Sequence, residues 1–106
     1  MPLFVAIALD RNSGSAELRE QLRKAHRRYV VDHTAPIRFA GPTMAADGKQ
    51  TGSIYLFELE TAEAVRAWFA AEPFHAGGVY GSLEVRPFYV AYNDLDQVAW
   101  PVLPPG

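Results

Sequence analysis

The sequence predicts a small α+β domain built from one antiparallel sheet and two helices. A chain of 106 residues has room for one hydrophobic core. Its 49% hydrophobic and 21% charged residues are ordinary values for a folded globular protein. Strand-like and helix-like segments follow each other in the order strand, helix, strand, strand, helix, strand. This order favours a sheet whose helices cross over one of its faces.

A change in the spacing of apolar residues separates the first predicted strand from the first predicted helix. Residues 3–9 form a short apolar run that ends in the turn-forming segment 10–14. We expect a helix from about Ser15 to His33, with Ser15 as its N-cap and Glu17 near the positive end of the helix dipole. Pro36 ends the helix, since the residue before a proline is pushed out of the α region. The apolar stripe of this helix comprises Leu18, Leu22, Ala25 and Tyr29.

Two further strands follow with a loop between them. Residues 37–40 predict a short strand, which we expect Gly41-Pro42 to stop. The segment 44–52 contains Asp47-Gly48 and predicts an exposed hairpin loop. Residues 53–60 carry apolar side chains on both faces of a predicted strand.

The second half of the chain gives one more helix and one more strand. We expect Thr61 to cap a helix that presents the buried stripe Val65, Trp68 and Phe69. Glu72-Pro73-Phe74 breaks that helix, because proline cannot continue it. Residues 83–92 form the last strand, and Pro87 within it indicates a sheet edge or a bulge.

These elements make a ferredoxin-like β-α-β-β-α-β domain over residues 1–92, with a four-stranded antiparallel sheet and both helices on one face. The other face would be bare in a monomer, with Tyr55, Phe57 or their neighbours supplying its apolar groups. We therefore expect two sheets to pair in a homodimer, as a dimeric α/β barrel. The proline-rich extension 93–106 contains Trp100 as its one strong anchor. We expect the segment either to pack on its own subunit or stay mobile, or to cross the dimer interface.

Composition excludes several classes of function. The net charge of −2 gives no support for binding nucleic acid or an anionic membrane. The absence of cysteine excludes disulfides, thiolate metal sites and a cysteine nucleophile. No apolar run approaches the roughly 20 residues that span a bilayer. The apolar start lacks the basic segment of a signal peptide, so we expect a cytoplasmic protein.

His26 and Glu72 are the candidates for chemistry. His26 lies on the flank of the predicted stripe of the first helix, together with Arg19 and Arg23. Glu72 lies at the end of the second helix, and both helices cover the same sheet face. A carboxylate on one imidazole nitrogen fixes the tautomer and leaves the other nitrogen to handle a substrate proton. Both residues also have an ordinary interpretation, as a half-buried surface histidine and an exposed helix-terminal glutamate.

The remaining residues and motifs are weaker candidates for a functional site. His75 lies in the segment before Gly77-Gly78, where it would either join a pocket or be a polar loop residue. His26 and His33 are separated by roughly 10 Å along a helix, so we expect no shared metal ion. The five basic residues of the first helix are expected to form a largely solvated face. No phosphate-binding loop, dinucleotide fingerprint or Gly-x-Ser-x-Gly motif is present.

A family resemblance rests on four segments taken in order: Arg23-Lys24-Ala25-His26, Ala40-Gly41-Pro42, Glu72-Pro73-Phe74, and Ala76-Gly77-Gly78-Val79-Tyr80 leading into Val85-Arg86-Pro87-Phe88. Together they resemble the YCII-related or YciI-like proteins from Leu3 to about Val90. The resemblance implies a ferredoxin-like dimer with a histidine and an acidic residue in a pocket, which fall here on His26 and Glu72. Glu72 stands where the family usually has aspartate, and its side chain is one methylene longer.

The resemblance also implies a function. Better understood family members suggest elimination chemistry, such as dehydrochlorination of a chlorinated hydroxyhydroquinone. We expect a cofactor-free lyase or isomerase that acts on a small aromatic or lactone-like anion. His26 would be its general base or acid and Glu72 its orienter, with Arg23 and His75 in substrate binding. The alternatives are a non-catalytic ligand-binding or accessory dimeric module, and a monooxygenase-like or haem-dependent member of the wider barrel group.

Overall fold

Four strands form one antiparallel sheet in the computed structural model, which describes residues 1–11 and 15–101. They are β1 (Leu3–Asp10), β2 (Ile37–Met44), β3 (Gln50–Glu58) and β4 (Tyr80–Phe88). Their order across the sheet is β2-β3-β1-β4, and each neighbouring pair is antiparallel. This is the predicted α+β, ferredoxin-like arrangement.

The helices are α1 (Ser15–Asp32), α2 (Ala62–Ala70) and the short α3 (Pro73–Ala76). α2 begins as predicted, since Thr61 accepts a hydrogen bond from the backbone N–H of Ala64 at 3.1 Å. The sequence did not predict α3. It forms because Pro73 suits the first position of a helix and Glu72 caps it.

The core lies between the helices and one sheet face. Tyr55 and Phe57 of β3 meet Trp68 and Phe69 of α2, with ring centroids 4.9–5.7 Å apart in every pair. Tyr55 and Phe57 therefore do not supply the bare face, whereas their neighbours Ile54 and Leu56 do. The β1 residues opposite Tyr55 and Phe57 are Ala6 and Phe4, which are buried on the helix side as well.

The opposite sheet face carries a stripe of apolar side chains, which we call the open face. Strand residues alternate between the two faces, and cross-strand partners share a face. Val5 pairs with Leu56, Ile7 with Ile54, and Leu3 with Phe88. The apolar side chains of the open face are Leu3, Val5, Ile7, Leu9, Phe39, Ile54, Leu56 and Phe88. The same face also carries Glu58, Ser82, Glu84 and Arg86.

β2 is longer than the sequence predicted, because Gly41-Pro42 does not stop it. The strand continues to Met44, and the loop before β3 shrinks to residues 45–49. β2 is an edge strand, where a proline costs no hydrogen bond that a neighbour needs. β4 forms the other edge, so the prediction drawn from Pro87 is confirmed.

The predicted stripe of α1 is confirmed at Leu18, Leu22 and Tyr29, which pack against the core, but polar side chains are buried beside it. Ser15 and Arg19 are buried, His26 is half-buried, and Ala25 is exposed. Ser15 does not cap the helix, because it is itself helical and its hydroxyl donates a hydrogen bond to the carbonyl oxygen of Val79 at 3.1 Å.

The C-terminal segment leaves the sheet edge without packing on its own subunit. Every residue from 86 to 101 is exposed, and 67% of the Trp100 surface is accessible. A single 3-10 turn covers Leu95–Gln97. Anchoring of Trp100 on its own subunit is therefore wrong, and the interface arm stays a prediction; residues 102–106 lie outside the described part.

Candidate active site

The structure brings His26 and Glu72 together. His26 Nδ1 lies 3.0 Å from Glu72 Oε2, with the Glu72 side chain fully buried and the His26 side chain 17% exposed. The same Oε2 accepts the backbone N–H of Phe74 at 2.7 Å. The carboxylate that starts α3 is thus held by its capping role and aimed at α1.

The imidazole of His26 is also fixed in its plane. It stacks on the ring of Phe74 at a centroid distance of 3.8 Å and an interplanar angle of 4°. The guanidinium of Arg19 lies over the same phenyl ring, 4.9 Å from its centre. With Nδ1 engaged by Glu72, Nε2 is the ring nitrogen left to act on a ligand.

Glu72 places an incompletely neutralised charge inside the protein. Within the described residues its Oε1 is buried and has no hydrogen-bond partner. Burial raises the pKa of the Tyr29 phenol, and the Glu72 carboxylate raises it further. A buried carboxylate at hydrogen-bond distance is a suitable neighbour for an imidazole that gains a proton during a reaction.

A cavity of about 350 Å³ opens between α1 and the β2–β3 side of the sheet. This volume is at the lower end for small-molecule sites, so it suits a ligand with one ring. The lining residues are Arg19, Arg23, His26, Arg27, Val30, Val31, Ala40, Gly41, Pro42, Gln50, Ser53, Tyr55 and Phe74.

Three arginines give this cavity a cationic wall. Arg19 is held by Asp10, with Nε and Nη2 at 2.6 and 2.9 Å from its two carboxylate oxygens, and by Gln50 at 2.6 Å. Arg23 pairs with the exposed Glu20. Asp10 balances the buried Arg19, whereas Glu20, the partner of Arg23, is 78% exposed and screened by solvent. A wall with guanidinium groups favours an anionic ligand.

The predicted site residues do not all meet. Arg23 lines the cavity beside His26, whereas His75 is not among the lining residues. The His75 ring lies 6.1 Å from that of Phe69 in α2. The reason is helical geometry: Phe74 faces α1, and the next residue of α3 is rotated by about 100°. Across the described chain no cluster of three potential metal ligands exists.

Sequence reasoning missed several residues of the site. Arg19 was placed beside His26 on the flank of the predicted stripe, but its burial was not predicted, because its partner Asp10 lies at the end of β1. Phe74 was noted as part of a helix-breaking segment and of the family resemblance, without a role in the site. Ser53 and Tyr55 on β3 carried no signal, since their place in the cavity depends on which face of the strand turns to α1.

The fold and the cavity define the class of protein: it is an α+β domain with a cationic cavity, large enough for one ring, between a helix and the sheet. Residues 3–89 match the family model described as YCII-related domain, and the chain belongs to that family. Two proteins named Protein YciI, from Escherichia coli O6:H1 and Shigella flexneri, are each 36% identical to it over 94 residues. Each alignment covers 81% of this chain and 95% of the relative.

A solved structure with the same fold holds a quinone ligand. It is the 5-chloro-2-hydroxyhydroquinone dehydrochlorinase TftG from Burkholderia phenoliruptrix AC1100, in complex with 2,5-dihydroxybenzoquinone. The match has a TM-score of 0.74 and 28% sequence identity, and covers 82% of this chain and 93% of that one. Separately, none of the helices in the described residues has the length and apolar character to cross a membrane.

Proposed function

We propose that this protein is a cofactor-free lyase or isomerase that moves protons on a small hydroxylated aromatic or lactone-like anion. The observation that carries the proposal is the contact of His26 with the buried Glu72 at the wall of a cationic cavity. The stacking of His26 on Phe74 adds a second restraint on the imidazole. A fixed imidazole with one nitrogen held by a carboxylate suits general acid–base catalysis.

The proposed mechanism needs no external oxidant. Arg23 and its neighbours attract the anion, and His26 Nε2 takes a proton from a ring hydroxyl while Glu72 stabilises the resulting imidazolium. On a chlorinated hydroxyhydroquinone, two hydroxyl groups lose protons and become carbonyls. One proton moves to the carbon that carries chlorine, and chloride leaves with the bonding electron pair. The net change is loss of one proton and one chloride, so atoms and electrons balance.

Similarity to TftG supports this substrate class. That protein is named for removing chloride from 5-chloro-2-hydroxyhydroquinone, and its structure holds a dihydroxylated quinone. A cavity of about 350 Å³ suits a ring of that size. At 28% identity the similarity supports the kind of ring and not a particular substrate.

The test is chloride release from 5-chloro-2-hydroxyhydroquinone by the purified protein. We expect turnover by the wild type and a loss on the order of 10²-fold or more in kcat for His26→Asn, which removes the proton carrier. Arg28→Ala is the matched control on the same helix, because 83% of that side chain is exposed.

Two results would contradict the proposal. Full activity of a folded His26→Asn variant removes His26 from the mechanism. Tight binding of 2,5-dihydroxybenzoquinone by the wild type without any turnover would favour the alternative, a non-catalytic ligand-binding module.

We also propose that the protein is a homodimer in which two open faces pack together. The open face places apolar side chains such as Val5, Ile7 and Ile54 on one side of the sheet, where no helix covers them. A second copy supplies a face of the same shape, and a two-fold axis would cover both. A cytoplasmic location and the absence of nucleic-acid binding stay predictions from the sequence.

A further inference from the structure

Hydroxyl groups meet on the sheet wall of the cavity. Tyr80 Oη of β4 donates to Ser53 Oγ of β3 at 3.0 Å, in a buried contact. Ser53 is 7% exposed and lines the cavity, as does Tyr55, two residues further along β3. His26 belongs to the helix wall of the same cavity. A ligand between the walls can therefore contact both a serine hydroxyl and an imidazole.

Both tyrosines remain hydrogen-bond donors over the neutral range. Burial raises the pKa of the Tyr55 phenol, and the neighbouring Tyr80 and Glu72 raise it further. Burial also raises the pKa of Tyr80. A phenol that stays protonated keeps donating, so the hydrogen bond from Tyr80 to Ser53 persists.

The hydrogen bond from Tyr80 leaves the Ser53 hydroxyl free to act as a donor. A hydroxyl has one proton and two lone pairs, and Tyr80 occupies one lone pair. Tyr80 is the hydrogen-bond partner that the structure gives Ser53 within residues 1–11 and 15–101. The proton of Ser53 is thus available to an acceptor in the cavity, and the hydrogen bond received from Tyr80 strengthens it as a donor.

We propose that Ser53 donates a hydrogen bond to a ring oxygen of the ligand, and that Tyr80 is the positioning residue that keeps this hydroxyl turned to the cavity. The inference rests on the proposed function and narrows its substrate class. The ligand would carry oxygens at two separate ring positions, one for His26 on the helix wall and one for Ser53 on the sheet wall. Hydroxylated quinones and their enolates have this pattern, whereas a ring with a single oxygen lacks it.

The test is a titration of 2,5-dihydroxybenzoquinone into the protein, followed by the absorbance of the quinone. We expect Ser53→Ala to weaken binding by about tenfold or more, the effect of removing a hydrogen bond to a charged acceptor. Tyr80→Phe keeps the ring but loses the donor, and a smaller weakening is expected. The double variant should bind no more weakly than Ser53→Ala alone, because Tyr80 acts through Ser53.

Thr34→Ala is the control for loss of a hydroxyl group, since Thr34 is exposed in the turn before β2 and does not line the cavity. Thermal unfolding of each variant checks that the fold is kept, and Tyr80→Phe keeps the test decisive if Ser53→Ala fails to fold. Unchanged binding by Ser53→Ala overturns the Ser53 contact and leaves the proposed function standing. Additive losses in the double variant overturn the positioning role of Tyr80. A wild type that does not bind the quinone overturns both proposals.

Discussion

Glu72 combines two roles in one carboxylate oxygen. Oε2 accepts the backbone N–H of Phe74, which begins α3, and it also lies 3.0 Å from His26 Nδ1. The side chain that starts the short helix therefore also orients the imidazole. Phe74 follows Glu72 by two residues and stacks on the same imidazole. One short segment of backbone therefore supplies both the hydrogen-bond partner of His26 and the ring on which it stacks.

The charge of Glu72 should matter more than its capping role. Glu72→Gln keeps the length of the side chain and an oxygen that can cap α3, but it removes the charge that stabilises imidazolium. We expect kcat for chloride release to fall on the order of 10²-fold, with a small change in the midpoint of thermal unfolding. Steady-state kinetics and thermal unfolding measure the two effects.

Glu72→Asp is the control that keeps the charge on a shorter side chain, and aspartate is the residue that the family resemblance implies at this position. We expect it to retain much more activity than Glu72→Gln, since aspartate also caps helices well. If Glu72→Gln kept the wild-type kcat, the carboxylate would have a structural role only.

At the scale of elements, the residues predicted which segments form helices and strands, and most of the apolar stripe of α1, but not the burial of polar groups beside it. Leu18, Leu22 and Tyr29 pack against the core as predicted, whereas Ala25 is exposed. Ser15, Arg19 and His26 share the inward face with them. A search for apolar periodicity does not detect polar residues on the inward face of a helix. Their partners Asp10 and Glu72 lie on other elements, so burial of these groups could be recognised only from the assembled fold.

The approach of His26 to Glu72 was easier to predict from the sequence than the cavity around them. Two helices on one sheet face were enough to suggest that the imidazole and the carboxylate approach each other. By contrast, the position of His75 outside the cavity could not be predicted, because α3 has only four residues and shows no apolar periodicity. The cavity wall from β2 depends on a strand that continues through Gly41-Pro42, which edge position alone permits.

Gly77 sets how closely α3 can approach α1. A Cβ at this position would overlap Leu22 Cδ1 and lie 2.7 Å from the carbonyl oxygen of Pro73. We expect Gly77→Ala to lower the free energy of unfolding by about 1–3 kcal/mol, the usual cost of overpacking. Urea unfolding measures the change, and chloride release should fall with it because α3 carries Glu72.

Gly41→Ala is the matched control, since a Cβ there meets no atom within 4 Å. A small change in the free energy of unfolding is expected for it. Equal stability of Gly77→Ala and the wild type would show that α1 and α3 tolerate a wider separation than the packing at Leu22 implies.

At the scale of the whole molecule, the helices cover one face of the sheet, and none of the helices in residues 1–11 and 15–101 covers the open face. Phe88 belongs to the open face, and the exposed C-terminal segment with Trp100 continues from it. Contiguous apolar surface next to an exposed aromatic segment is typical of an interface between protein chains. Both features point to a second copy on this side of the sheet.

A charge placed in the middle of the open face should separate the copies. Light scattering of the wild type should give twice the 11.7 kDa mass of one chain. We expect Ile7→Glu to give a single chain, because a buried and unpaired carboxylate is costly. Ala16→Glu on the exposed side of α1 is the control and should remain a dimer. A wild type of 11.7 kDa at micromolar concentration would contradict the pairing of open faces.

The most direct test of the central claim, that His26 moves protons on a ring held in the cavity, is hydrogen exchange on a bound ring. Proton NMR in heavy water can follow the loss of the ring-hydrogen signal of 2,5-dihydroxybenzoquinone, which exchanges only when a ring carbon takes up a deuteron. We predict that the wild type accelerates this loss and that His26→Asn, still folded, does not. Equal exchange rates with the wild type, with His26→Asn and without protein would contradict the claim.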